Sequence, residues 1–269
     1  MMRALWTGAS GMIAQQTNVD TIGNNLANVN TTGYKAETAE FKSLLYQTVQ
    51  DTSTDSEGKF KPLGVQVGLG VKNSAISTNF NQGSMLATGM DFDFAIEGEG
   101  FFMVRLDDGS TAYTRNGNFT MSIGTDGHTL TNGDGNPVLD ANQNPVIIPE
   151  GYKVADVSID AYGNLVAKGE DGNMHTIGVQ VGMATFNNPG GLSKIGNSNY
   201  VQTGASGEPI ISTPDAIGSK MKSGYLEGSN VQVVDEMVNL IVAQRAYEFN
   251  SKVINASDQM LQQANNLRS

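Results

Sequence analysis

Both ends of this 269-residue chain carry apolar residues at a fixed interval, and its middle does not. Leu5, Met12, Val19 and Leu26 are spaced by seven, with Ile22 and Val29 three residues after two of them. Leu240, Tyr247, Ile254 and Leu261 keep the same spacing, and Ala246, Val253, Met260 and Leu267 form a second row. A seven-residue repeat puts a narrow seam on one helix face, and such a seam is stable only against another helix. The spacing predicts helices over residues 1–33 and 230–269, paired as a coiled coil that also meets neighbouring copies.

The seams are weak on their own. Gly8, Gly11 and Gly23 interrupt the first helix, each at roughly 1 kcal/mol relative to alanine. Ala243, Asn250, Ser257 and Ala264 fill intervening positions of the second with small or polar side chains. These helices are expected to form mainly when packed. The run Asn28-Val29-Asn30-Thr31-Thr32-Gly33-Tyr34-Lys35 stops the first helix, because Asn and Gly accept left-handed backbone. Asn230 or Ser229 is the candidate cap of the last helix.

Glycine, at 32 residues, argues for many turns. Residues 34–47 read as a short helix or an extended arm, and 50–62 as a polar loop. Alternation at Val65, Val67, Leu69 and Val71, at Val157, Ile159 and Ala161, and at Ile177, Val179 and Val181 signals strands. So do Ala95-Ile96 and the continuous run Phe101-Phe102-Met103-Val104. Asn116-Gly117 predicts a hairpin, and Asp126-Gly127, Asn132-Gly133 and Asp171-Gly172 predict further turns. The fold class is therefore α+β, with terminal helices around a central antiparallel β-rich domain. The expected division is a helical domain of 1–70 and 223–269, with an arm over 34–70, and a β domain of 71–222.

Composition removes several functions. A net charge of −11 repels phosphate backbones, so nucleic acid is not an expected partner. There is no cysteine, hence no disulfide and no thiol chemistry. His128 and His175 each lie in polar turn sequence, with no third histidine to complete a metal site. Asp91-Phe92-Asp93 lacks the remaining ligands of a calcium loop, and Gly64, Gly68 and Gly70 lack the lysine of a phosphate loop. The expectation is no enzyme, no metal and no cofactor. No apolar run suits a membrane helix and no cleaved secretion signal opens the chain, so export would need another route.

Three blocks carry a resemblance. Asn24-Asn25-Leu26-Ala27-Asn28-Val29-Asn30-Thr31-Thr32-Gly33-Tyr34-Lys35 resembles the N-terminal signature of bacterial flagellar rod and hook proteins. Gln244-Arg245-Ala246-Tyr247-Glu248, Asn250-Ser251-Lys252 and Asp258-Gln259-Met260-Leu261 resemble its C-terminal block. Asp93-Phe94-Ala95-Ile96-Glu97-Gly98-Glu99-Gly100-Phe101-Phe102-Met103-Val104 is similar to the motif that opens its β domain. Glu40-Phe41-Lys42-Ser43-Leu44-Leu45-Tyr46 and Gly64-Val65-Gln66-Val67-Gly68-Leu69-Gly70-Val71 are most like the distal-rod members, with a hook or proximal-rod subunit as the alternative.

The resemblance implies an axial structural protein of the flagellar basal body. It would polymerise with itself into a hollow drive shaft and meet proximal rod proteins, hook protein and ring or bushing proteins. It would leave the cell unfolded through the flagellar type III export apparatus, without a cleaved signal. The residues assigned to assembly are Leu5, Met12, Val19, Ile22, Leu26, Leu240, Tyr247, Val253, Ile254, Met260 and Leu261, and the signature turn is Asn28, Thr32, Gly33 and Tyr34.

Overall fold

The computed structural model describes residues 2–50, 64–124, 127–149, 157–168 and 174–267. The 50–62 loop and the Asp126-Gly127 and Asp171-Gly172 turns fall wholly or partly outside them. The chain runs from α1 (Met2–Ala27) through strands β1 to β20, with a short α2 (Pro214–Ile217) among the last of them, to α3 (Val233–Asn266). The class is α+β, with a helix at each end and antiparallel strands between. Two compact units result: Met1–Ala27, Glu37–Thr78 and Gln232–Ser269 make one, Asn28–Ala36 and Asn79–Val231 the other.

In the helical unit α1 packs on α3, and the glycines of α1 explain how closely. A Cβ on Gly8 would lie 3.0 Å from Ile254 Cγ1, and one on Gly11 would lie 2.8 Å from Asn250 Nδ2. These glycines weaken the isolated helix and admit the facing one. Ala14, Ile22, Ala243 and Ser257 are buried. Gly23 differs, since a Cβ there would meet nothing within 4 Å. Gly23→Ala should therefore raise the stability of the helical unit by about 0.5–1 kcal/mol, read as a higher urea midpoint. Gly11→Ala should gain less, because Asn250 must move.

Of the two readings of residues 34–47, the extended one holds, with strand over Glu37–Ser43 and again from Tyr46. β1 (Glu37–Ser43) pairs with β4 (Val71–Thr78), and β2 (Tyr46–Gln50) with β3 (Val65–Gly68). The cause is the period: Glu37, Ala39 and Phe41 are partly covered while Thr38, Glu40 and Lys42 are exposed. Asn25, fully buried, fixes the start of β1. Its amide donates to Glu37 O at 2.8 Å and Glu236 Oε1 at 3.1 Å, and its oxygen accepts the Glu37 N–H at 2.9 Å. The N-cap of α3 is Gln232, without a side-chain cap, in place of Asn230 or Ser229. Asp235 and Glu236 in the first turn supply the negative charge that a helix N-terminus favours.

The β unit is centred on a six-stranded sheet in the order β16 (Ser193–Gly196), β17 (Asn199–Val201), β8 (Thr111–Thr114), β7 (Phe101–Arg105), β15 (Met183–Thr185), β18 (Ile210–Ser212). Flanking it are β11 (Ile147–Ile148), β10 (Gly127–Asn132) and β9 (Phe119–Gly124) in one sheet and β12 (Val157–Ile159), β13 (Asn164–Lys168) and β14 (Met174–Gln180) in another. β6 (Phe94–Glu97) pairs with β19 (Lys220–Ser223), and β5 (Met85–Ala87) with β20 (Tyr225–Glu227).

β7 explains the continuous run Phe101-Phe102-Met103-Val104. Phe102 and Val104 enter one apolar cluster, with Phe94, Phe119, Leu130 and Val181. Phe101 and Met103 enter a second, with Tyr113, Leu139, Phe186 and Tyr200. A strand covered on both faces has no polar side to alternate. Edge-to-face rings tighten each cluster: Phe102–Phe119 at 5.2 Å and Tyr113–Phe186 at 4.8 Å between centroids.

The hairpin predicted at Asn116-Gly117 is not formed. β8 pairs with β7 and β17, whereas β9 pairs with β10, so the dipeptide carries the chain from one sheet to another. Gly117 serves close approach instead. Its carbonyl accepts the Phe94 N–H at 3.0 Å, and a Cβ there would fall 1.7 Å from Phe94 O. Asn-Gly reports that compact backbone is tolerated, which a hairpin and a sheet-to-sheet passage share.

Candidate functional site

Two features stand out, one in each unit. In the helical unit, α3 has more apolar surface than α1 covers. Leu240, Ile254 and Leu261 are partly covered, in step with the buried Ala243 and Ser257. Away from that seam Val234, Met237, Val238, Ile241, Val242 and Phe249 are 50–74% exposed. Tyr247, Val253 and Met260 are exposed as well. On α1, Leu5, Met12, Val19 and Leu26 are partly covered and Ile22 is buried, while Trp6 and Ile13 are exposed. A groove of about 390 Å³ is lined by Gln16, Val19, Gln244, Tyr247 and Glu248. A helix apolar on more than one face belongs in a larger core than its own unit supplies.

In the β unit, three parts of the chain are tied into one buried polar knot. The Glu227 carboxylate, fully enclosed, accepts from Lys35 Nζ at 2.6 Å, Arg115 Nη1 at 3.1 Å and the Gly83 N–H at 2.8 Å. Lys35 also donates to Asn81 O at 2.9 Å, and Arg115 to Gly98 O at 2.8 Å. The guanidinium carbon lies 5.5 Å from the centre of the Phe101 ring. Asn230 accepts the Ala36 N–H at 2.7 Å and donates to Asn79 O and Asn81 O at 2.8 and 3.0 Å.

Two almost fully buried cations thus share one buried anion. Burial pushes the Lys35 ammonium below its ordinary range, with Glu227 pulling the other way. Arg115 is shifted in the same sense for the same reason. Among the described residues, Arg115 Nε is the buried side-chain nitrogen or oxygen atom left with no hydrogen-bond partner.

The signature turn rests on this knot. Thr32 Oγ1 donates to Asn116 Oδ1 at 2.9 Å, and the Gly33 N–H donates to Glu227 O at 2.8 Å. Gly33 has φ 69°, and a Cβ there would lie 2.5 Å from Asn116 N, so both conformation and space require glycine. Asn28 accepts the Thr31 N–H through its carbonyl, and Tyr34 is partly covered. Sequence reasoning had Lys35 inside a motif but gave it no partner, and missed Arg115 and Glu227 altogether. They stand 112 residues apart, and Lys35 stands 192 from Glu227. Lone charges carry no periodic signal.

Among the described residues, no group of three His, Cys, Asp or Glu side chains could hold a metal ion, and no helix is long and apolar enough to cross a membrane.

Three family models match parts of the chain. Residues 5–35 match the model of the flagella basal body rod protein. Residues 95–167 match that of the flagellar hook protein FlgE/F/G D1 domain, and 222–267 that of the flagellar basal body rod FlgEFG protein C-terminal region. The flagellar basal-body rod protein FlgG of Borreliella burgdorferi is 46% identical over 270 residues, covering 100% of this chain and 99% of the relative. The chain belongs to the flagellar basal-body rod protein family. It is a structural protein of the flagellar basal body. Bacillus subtilis offers two relatives, each covering 100% of both chains: the basal-body rod protein FlgG at 38% identity and the hook-basal body complex protein FlhP at 32%. Within that organism the rod protein is the more similar.

Proposed function

We propose that the chain is the subunit of the distal rod, polymerising helically into a hollow shaft that carries torque from motor to hook. The observation that carries this reading is the exposed apolar surface of α3, which runs from Val234 to Met260 on a helix already packed on α1. Neighbouring copies are the natural cover. A surface that meets a different surface on the next copy builds an open helix rather than a closed ring. In that polymer α1 and α3 supercoil as a coiled coil through Leu5, Met12, Val19, Leu26, Leu240, Tyr247, Ile254 and Leu261, and residues 71–222 form the outer layer.

The same reading explains the weak helices. A chain exported unfolded benefits from helices that are weak until packed, and from the absence of cysteine. Proximal rod proteins and hook protein cap the two ends of the shaft, ring proteins surround it, and the type III apparatus exports it. Deleting residues 240–269 tests the reading. The truncated chain should retain a folded β unit by circular dichroism and build no rods by electron microscopy; rods of normal length from the truncated chain would refute it.

A further inference from the structure

We propose that residues 28–36 form a separable strap on the β unit, with Lys35 as its bolt, which opens by itself while the rest of the unit stays folded. The stretches that flank it in sequence belong to the helical unit, while the strap itself is counted with the β unit. Neither apolar cluster counts a residue of 28–36 among its hydrophobic members. The core of the β unit closes without it.

Polar contacts hold the strap: Thr32 to Asn116, the Gly33 N–H to Glu227 O, Lys35 to Glu227 and Asn81 O, and the Ala36 N–H to Asn230. Its carbonyl at Ala36 accepts the Asn79 N–H at 2.8 Å. Water can replace the neutral bonds among these when the strap lifts, so each of those contributes little net. The bolt brings its own penalty, since seating Lys35 buries a second cation beside one carboxylate. A segment held in this way opens at a lower free energy than the core it lies on. In a rod subunit the strap joins α1 to β1, so its seating is one of the points, with 78–79 and 231–232, at which ordering of the helices reaches the β unit. That use rests on the rod reading; the opening itself does not.

Hydrogen exchange on the full chain, resolved by residue, tests the strap without requiring assembly. The Gly33 and Ala36 amides should be at least ~10-fold less protected than amides of β7 and β8. Thr32→Val removes one strap bond at nearly constant volume, and Asn116 Oδ1 keeps the Asn118 N–H. It should lower strap protection a further ~2–10-fold and leave β7 and β8 unchanged. Equal protection of strap and core, or a Thr32→Val effect that spreads equally to both, would overturn the proposal.

Discussion

A chain carrying Ile241→Glu and Phe249→Glu should fold with its helix content intact and fail to form rods. Ile241 is 50% and Phe249 64% exposed in the single chain, so neither supports its own unit's core to any great extent. Glutamate is a good helix former, so α3 itself is not the casualty. In the polymer the change is severe. Each apolar side chain that a neighbour would finish burying is worth up to about 1.5–3 kcal/mol. An unpaired carboxylate in its place adds several kcal/mol of desolvation penalty. The loss repeats at every subunit along the shaft. Far-UV circular dichroism of the monomer together with electron microscopy of basal bodies checks both halves. Normal rods from the double variant would show that this face of α3 is not an assembly surface.

Glu227→Gln should destabilise the β unit by about 3–5 kcal/mol, because it removes the one carboxylate that both buried cations contact. Lys35→Met should be far milder, within about 1 kcal/mol of the parent in either direction. It leaves Arg115 and Glu227 as a one-to-one pair and removes the most costly group to bury. Urea unfolding followed by near-ultraviolet circular dichroism separates the two. Equal effects would mean that the knot acts through packing rather than charge.

Lys35 also gives the unit a pH dependence with a definite sign. Burial lowers its folded pKa, so the unfolded chain binds its proton more readily. The penalty for the buried charge is in full force below the folded value. It lifts as pH rises through that value toward the ordinary lysine range, so stability should climb there. Lys35→Met should flatten the climb.

Much of the architecture is legible in local patterns. The spacing of Leu240, Tyr247, Ile254 and Leu261 marks α3, and the unbroken Phe101-Phe102-Met103-Val104 marks a strand covered on both faces. The first helix, expected over 1–33, ends at Ala27, just before the stop run Asn28–Lys35. Where two outcomes share one local chemistry the reading fails. Asn116-Gly117 suits a hairpin and also suits the passage between sheets that the chain makes. Residues 34–47 leave a short helix and an extended arm open, and the alternation at Glu37, Ala39 and Phe41 selects the extended one.

By itself the sequence determined the helical ends, their weakness, the β-rich middle and the lack of thiol chemistry, because each follows from composition or from a repeat shorter than a dozen residues. Tertiary structure alone decided which apolar residues of α3 stay uncovered, why Gly8 and Gly11 face Ile254 and Asn250, and that Lys35, Arg115 and Glu227 share one buried knot. The reason is physical. Periodicity states which side chains share a face, but a charge is stabilised by what lies within a few ångströms of it. Only the folded chain brings together residues that stand 112 and 192 positions apart.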